Sequence, residues 1–149
     1  MNNSDSVGAL LRDKASAIHS VPTTATVLDA IALMAKHNIG ALPVMRGGRL
    51  VGMFTERDYT RKVVLMGRTS RDTQVGEIMT HDPLTVGPGA TVNECMEIMT
   101  ENRVRHLPVL EDGELIGILS IGDLVKWIIS AQTATIEHLT RYVFGEQVG

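Results

Sequence analysis

Apolar residues return at helical spacing over Val27, Ala30, Ile31 and Met34, which predicts an amphipathic helix. Thr26 precedes them and Asp29 stands three residues on, a pairing that satisfies free backbone donors at a helix start. Gly40, just past this stretch, is expected to take the left-handed geometry that ends a helix. Upstream, residues 17–21 read as a short extended lead-in that stops at Pro22. Downstream, 42–45 and 50–54 are short apolar strands joined by the Arg46-Gly47-Gly48-Arg49 turn. Thr55 then caps a second helix that runs to about Met66, with Gly67 as its stop.

The whole pattern recurs 65 residues later. That single shift carries Val21 onto Val86, Ala25-Thr26-Val27 onto Ala90-Thr91-Val92, and Met34 onto Met99. It also carries Leu42-Pro43-Val44 onto Leu107-Pro108-Val109, and Gly48, Leu50, Gly52 and Asp58 onto Gly113, Leu115, Gly117 and Asp123. The expected organisation is a helical lead-in (1–15), one repeat (16–66), a polar connector (67–78), a second repeat (79–129) and a helical tail (130–149). Each repeat reads β-α-β-β-α, an α+β class. A unit this small leaves a sheet edge and an apolar face uncovered. Packing the copies about a pseudo-twofold axis would cover both and create two equivalent clefts between them. Residues 124–144 form a long helical pattern, with Leu124, Ile128, Ile129, Ile136, Leu139 and Val143 near helical periodicity. An apolar stripe left over after both cores are complete points to a partner chain, in the first instance a second copy of this one.

Composition narrows the function. In 149 residues, 14 Lys+Arg against 17 Asp+Glu give a net charge of -3, and aromatics make up only 3%. Neither favours nucleic-acid binding. The one cysteine, Cys95, excludes an internal disulfide and fits a small core position in a reducing cytoplasm. The polar N-terminus lacks the pattern of a secretory signal, and no apolar run reaches membrane-spanning length. The five histidines show no metal-ligand spacing. Neither a P-loop nor Gly-x-Gly-x-x-Gly nor Gly-x-Ser-x-Gly is present, so no catalytic constellation is expected.

The most informative elements are Thr55-Glu56-Arg57-Asp58 and Ser120-Ile121-Gly122-Asp123. Each sets a hydroxyl and a carboxylate three residues apart where a glycine-led strand runs into a helix. Helix capping alone accounts for such a box. A binding reading is compatible with it: the helix start offers free N–H groups and a positive dipole end for phosphate, while the acid can accept two hydrogen bonds from a ribose diol. Arg105 and His106 lie where the second repeat's first helix turns into its strand, and Gly40 and Ala41 occupy those positions in the first repeat. The two clefts should therefore differ in charge.

The ordered, duplicated set of Val21-Pro22, Ala25-Thr26-Val27, Gly40 to Val44 and Gly52-x-x-Thr55-x-x-Asp58 resembles a tandem pair of cystathionine-β-synthase (CBS) domains, the Bateman module, over most of 17–127. The resemblance implies a pseudo-twofold disc that commonly dimerises and binds AMP, ADP or ATP, and in some members NAD, S-adenosylmethionine or a cyclic dinucleotide. By matching positions it assigns Asp58 and Asp123 to the ribose hydroxyls, and Thr55, Arg57, Ser120 and Gly122 to phosphate. Met53 and Ile118 would pack on adenine. Lys14, Ile18 and Ile39 would join Asp123, while Thr80, Leu84 and Val104 would join Asp58. Gly40, Arg105 and His106 complete the nucleotide-binding set, the latter two against phosphates near the axis. Gly122 departs from the hydroxyl found there in some relatives, so phosphate recognition in that cleft would be weaker or would rely on the arginine. The resulting expectation is a stand-alone, bacterial-type, cytoplasmic signal-transduction module. It would be non-catalytic, binding an adenine nucleotide, forming a homodimer and regulating a separate protein, with no nucleic acid, membrane or metal involved. The alternative is a ligand-independent dimerisation or docking adaptor.

Overall fold

The computed structural model describes residues 4–15, 17–141 and 143. Along the chain the elements are α1 (Val7–Lys14), β1 (Val21–Pro22), α2 (Val27–His37), β2 (Ala41–Arg46), β3 (Arg49–Thr55), α3 (Glu56–Asp58), continued by a π-helical stretch over Tyr59–Val64, α4 (Val75–Ile78), β4 (Thr80–His81), α5 (Val92–Asn102), β5 (His106–Glu111), β6 (Glu114–Ser120) and α6 (Ile121–Thr140). This is the mixed helix-and-strand class with a long C-terminal helix that the sequence pattern predicts. The chain forms two compact units that do not coincide with the two repeats. Ala17–Thr85 and Pro108–Ile118 make one; Met1–Ser16, Val86–Leu107 and Leu119–Gly149 make the other.

The first of these units contains a sheet in the order β1-β2-β3-β4. β1 runs parallel to β2, and the β2–β3 and β3–β4 pairs are antiparallel. Gly47 and Gly48 both have positive φ, the condition for the tight turn that keeps hairpin strands twisted correctly, and Asp112 and Gly113 repeat it between β5 and β6. One helix stop differs from expectation. α2 ends on Asn38 in the left-handed region (φ 52), not on Gly40. The Asn amide tolerates that conformation, so the chain turns two residues early. The core joins Leu42, Val44 and Phe54 of the sheet to Val27, Ala30 and Met34 of α2, with Val63, Val75, Ile78 and Met79.

Gly52 is where β3 meets β4 most tightly. A Cβ there would lie 2.8 Å from the Thr80 carbonyl oxygen and 2.5 Å from Met79 Sδ. The methionine can move; the paired backbone, held by Gly52↔His81 and Met53↔Thr80, cannot do so without parting the strands. Gly52→Ala is therefore expected to destabilise the protein by about 1–3 kcal/mol, the range for overpacking a filled site. Chemical denaturation would measure it.

The second unit buries Val7 and Leu10 of α1, Val92, Cys95 and Met99 of α5, Leu107, Leu119, and Leu124, Trp127 and Ala131 of α6. Trp127 Nε1 donates to Asp5 Oδ2 at 3.0 Å, which ties the N-terminal segment to α6. Burial, with a smaller contribution from Glu94, pushes the Cys95 thiol up to about 11, as suits an inert core side chain. Beyond Ala131 every described residue of α6 is exposed; Phe144, the expected end of the helical pattern, lies outside the described residues.

α1 and α4 are equivalent pieces. The N–H groups of Val75 and Gly76 donate to the carbonyls of Ala25 and Thr23, and those of Val7 and Gly8 donate to the carbonyls of Ala90 and Pro88. The segment read as a polar connector thus carries a short helix whose Val75 and Ile78 are buried against the first repeat. The N-terminal lead-in does the same against 88–90.

Candidate functional site

Both hydroxyl–carboxylate boxes close reciprocally, unlike the one-way caps that Thr26 and Thr91 give α2 and α5. Thr55 Oγ1 accepts from Asp58 N at 3.1 Å while Asp58 Oδ2 accepts from Thr55 N at 3.0 Å and from Thr55 Oγ1 at 3.1 Å. Ser120 Oγ accepts from Asp123 N at 3.0 Å, and Ser120 N donates to Asp123 Oδ2 at 2.8 Å. The first N–H of each helix is satisfied by backbone 16 residues upstream: Glu56 N donates to Gly40 O and Ile121 N to Arg105 O. Gly40 and Arg105 are therefore fixed beside the boxes by main-chain bonds, whatever their side chains do.

Each aspartate also meets a residue from outside its own repeat. Pairing of β4 with β3 sets Thr80 opposite Met53, and Thr80 Oγ1 donates to Asp58 Oδ1 at 3.0 Å. Lys14, at the end of α1, places Nζ 2.8 Å from Asp123 Oδ2. Sequence reasoning missed a third contact, Lys62 Nζ at 2.9 Å from Asp58 Oδ1; the i,i+4 spacing of Asp58 and Lys62 is the signal that could have found it.

The aspartates differ in environment. The Asp58 side chain is 6% exposed and that of Asp123 22%. Burial pushes the Asp123 carboxyl up, but the hydrogen bonds from Lys14 and Ser120 and the lysine charge outweigh it and hold it below the usual value. His106, half-buried, is shifted down, first by burial and then by the Lys14 and Arg105 charges, with Asp123 opposing. Lys14 thus contacts Asp123 directly, and the Arg105 carbonyl bound to Ile121 N sets Arg105 and His106 beside the same box, where a cation and a hydrogen-bond acceptor can meet one ligand.

Met53 is buried in the sheet, so little of its surface is open to a base; Ile118 is half-buried on β6. Arg57 and Gly122 are exposed at the starts of α3 and α6, Ile39 and Val104 are half-buried, and Ile18 and Leu84 are exposed. Ile18, Ile39 and Ile118 belong to the unit of Asp58, and Val104 to that of Asp123. A cavity of about 270 Å³ lies between α2 and the start of the following helix, lined by Ile31, Met34, Ile39, Gly40, Glu56 and Tyr59 among others. It includes neither Thr55 nor Asp58.

Protonating His106 costs folded-state stability, because its pKa is lower folded than unfolded. The stability it contributes is complete above the ordinary imidazole value of 6.5 and is lost as pH falls through the lowered one. His37, stacked on His19 with ring centroids 3.5 Å apart, shifts in the same direction. The thermal midpoint is accordingly expected to fall on acidification below pH 6.5 and to fall less in His106→Asn, the difference isolating His106 from His37.

A duplicated β-α-β-β-α chain with a reciprocal hydroxyl–carboxylate box in each copy defines a regulatory module of the CBS class. The sequence profile of the CBS domain matches residues 12–65 and 75–130, and the chain belongs to that family as a tandem pair. It is similar to the CBS domain-containing protein CBSX3, mitochondrial, of Arabidopsis thaliana (43% identical over 128 residues). That match covers 83% of this chain and 62% of the Arabidopsis protein, so the chain spans less than two thirds of that relative's length. It is similar also to the CBS domain-containing protein YhcV of Bacillus subtilis, 32% identical over 78% of this chain and 83% of the relative. Among solved structures, a protein with CBS domains from Burkholderia ambifaria MC40-6 superposes with a TM-score of 0.81 at 50% identity, covering 85% of this chain and 96% of that one. Among the described residues no helix is long and apolar enough to cross a membrane, and no three metal-ligating side chains cluster.

Proposed function

We propose that this protein is a non-catalytic sensor of adenosine nucleotides, AMP, ADP or ATP before NAD or S-adenosylmethionine, and that it passes the signal to a separate protein in the cytoplasm. In this reading the functional repeats are 16–66 and 79–129, joined by 67–78. The observation that carries it is the Ser120–Asp123 box with Lys14, Arg105 and His106 around it. A carboxylate there can take a ribose diol, and the cations and helix start can take the adjoining phosphate. A nucleotide that prefers one conformation of the module shifts its population toward that state. Mass spectrometry of small molecules released from freshly purified protein tests this; an adenine nucleotide is expected, and protein that neither carries nor takes up one counts against it.

A second reading, a docking adaptor, draws support from α6. Ile129 and Ile136 of α6 fall seven residues apart, with Val125 and Leu139 at the complementary heptad positions and Val143 one heptad on, beyond the end of α6; all five are exposed. An apolar seam at these spacings, interrupted by Gln132, suits packing against another helix. If this seam joins two copies, Ile136→Asp converts a dimer to a monomer in sedimentation equilibrium; an unchanged mass removes α6 from the interface.

A further inference from the structure

The duplicated boxes are not two copies of one site. Asp58 Oδ1 receives Thr80 Oγ1 at 3.0 Å and Lys62 Nζ at 2.9 Å, and its Oδ2 receives the Thr55 N–H and hydroxyl. Hydrogen bonds from three donor groups and the Lys62 ion pair thus occupy both oxygens of Asp58 from within its own unit. A ribose diol would have to displace both Thr80 and Lys62 and leave each seeking a new partner. At Asp123 the contacts from Lys14 Nζ and Ser120 N both fall on Oδ2, neither involves Oδ1, and the side chain is more exposed.

The sequence explains the difference. The residue that reaches Asp123 from outside its repeat is Lys14, at Oδ2, where Thr80 reaches Oδ1 of Asp58, and under the 65-residue shift Lys62 corresponds to Trp127, whose Nε1 bonds to Asp5. Both groups that close Asp58 Oδ1 are thus replaced in the second copy. Conversely, Arg105 and His106 stand where the first copy has Gly40 and Ala41, so that guanidinium and imidazole accompany Asp123 alone.

We infer that the Asp123 site alone takes the ribose, giving one nucleotide per chain, and that the Asp58 carboxylate is a structural brace joining β3, β4 and the helix after β3. This assignment rests on the adenine-nucleotide reading above. Calorimetric titration of the full chain with ATP and with AMP tests it, and the stoichiometry of the unaltered protein needs no variant to fold. One site per chain is expected. Asp123→Asn, which keeps the side chain's shape and removes its charge, should weaken binding at least tenfold, as should Lys14→Met combined with Arg105→Met. Lys62→Met, at a position outside the nucleotide-binding set, should not lower the affinity of the existing site. Two equivalent ligands per chain, or an affinity unmoved by Asp123→Asn, would overturn the assignment and leave the adenine-nucleotide reading intact. Absence of binding by the unaltered chain would overturn both.

Discussion

Phe54→Ala is expected to lower the unfolding free energy by about 3–5 kcal/mol, the range for emptying an aromatic core site. Phe54 is fully buried, pairs across the sheet with Leu42, and belongs to the cluster that joins β2 and β3 to α2 and α4. None of those neighbours can close the gap cheaply, because two are strand residues locked in register and the helices are fixed by caps at Thr26 and Gln74. The residue also immediately precedes Thr55, so the same packing sets where the first box begins. Equilibrium denaturation would read the loss. A change below about 1 kcal/mol would mean that this side chain is not in the core.

Removing the Asp58 carboxylate has the next largest effect. Asp58→Ala deletes an acceptor that the Thr55 backbone and hydroxyl, Thr80 and Lys62 all reach, and it strands the Thr55 N–H. Hydrogen bonds to a charged group are worth about 1.5–3 kcal/mol when one partner is removed. Lys62 is nearly half exposed and recovers solvation, so the total stays below the cost of breaking a fully buried ion pair. A loss of about 2–3 kcal/mol is expected. Thr80→Ala removes only one of these contacts and should destabilise by less. A thermal midpoint unchanged in Asp58→Ala would contradict the role of brace.

The parts of this fold that are legible in the sequence are those with local chemistry at a fixed period. Gly47-Gly48 and Asp112-Gly113 announce their turns because few residues adopt positive φ twice in succession, and the boxes announce helix starts because a hydroxyl and an acid three apart reach each other's backbone. Gly40 misleads because a glycine permits the left-handed region without requiring it, while Asn38 gets there first. The kinship of α1 and α4 is hidden by spacing: Val7-Gly8 and Val75-Gly76 are 68 residues apart, so an ungapped comparison at 65 passes over them. Nothing local marks the π-helical stretch at Tyr59–Val64 or the stacking of His19 on His37. At the candidate site, the box residues follow from the repeat itself. Thr80 and Lys14 reach their aspartates through β4 and α1, elements from outside the repeat concerned, so only the family resemblance points to them in the sequence.

The most direct test follows the backbone amides of the isotopically labelled chain by NMR as AMP or ATP is added. Saturable shifts are expected, centred on Ser120, Ile121, Gly122 and Asp123, together with Lys14, Arg105 and His106. Saturable shifts centred instead on the α2 cavity around Ile31, Met34 and Tyr59, or a spectrum unmoved by either nucleotide, would contradict nucleotide binding there.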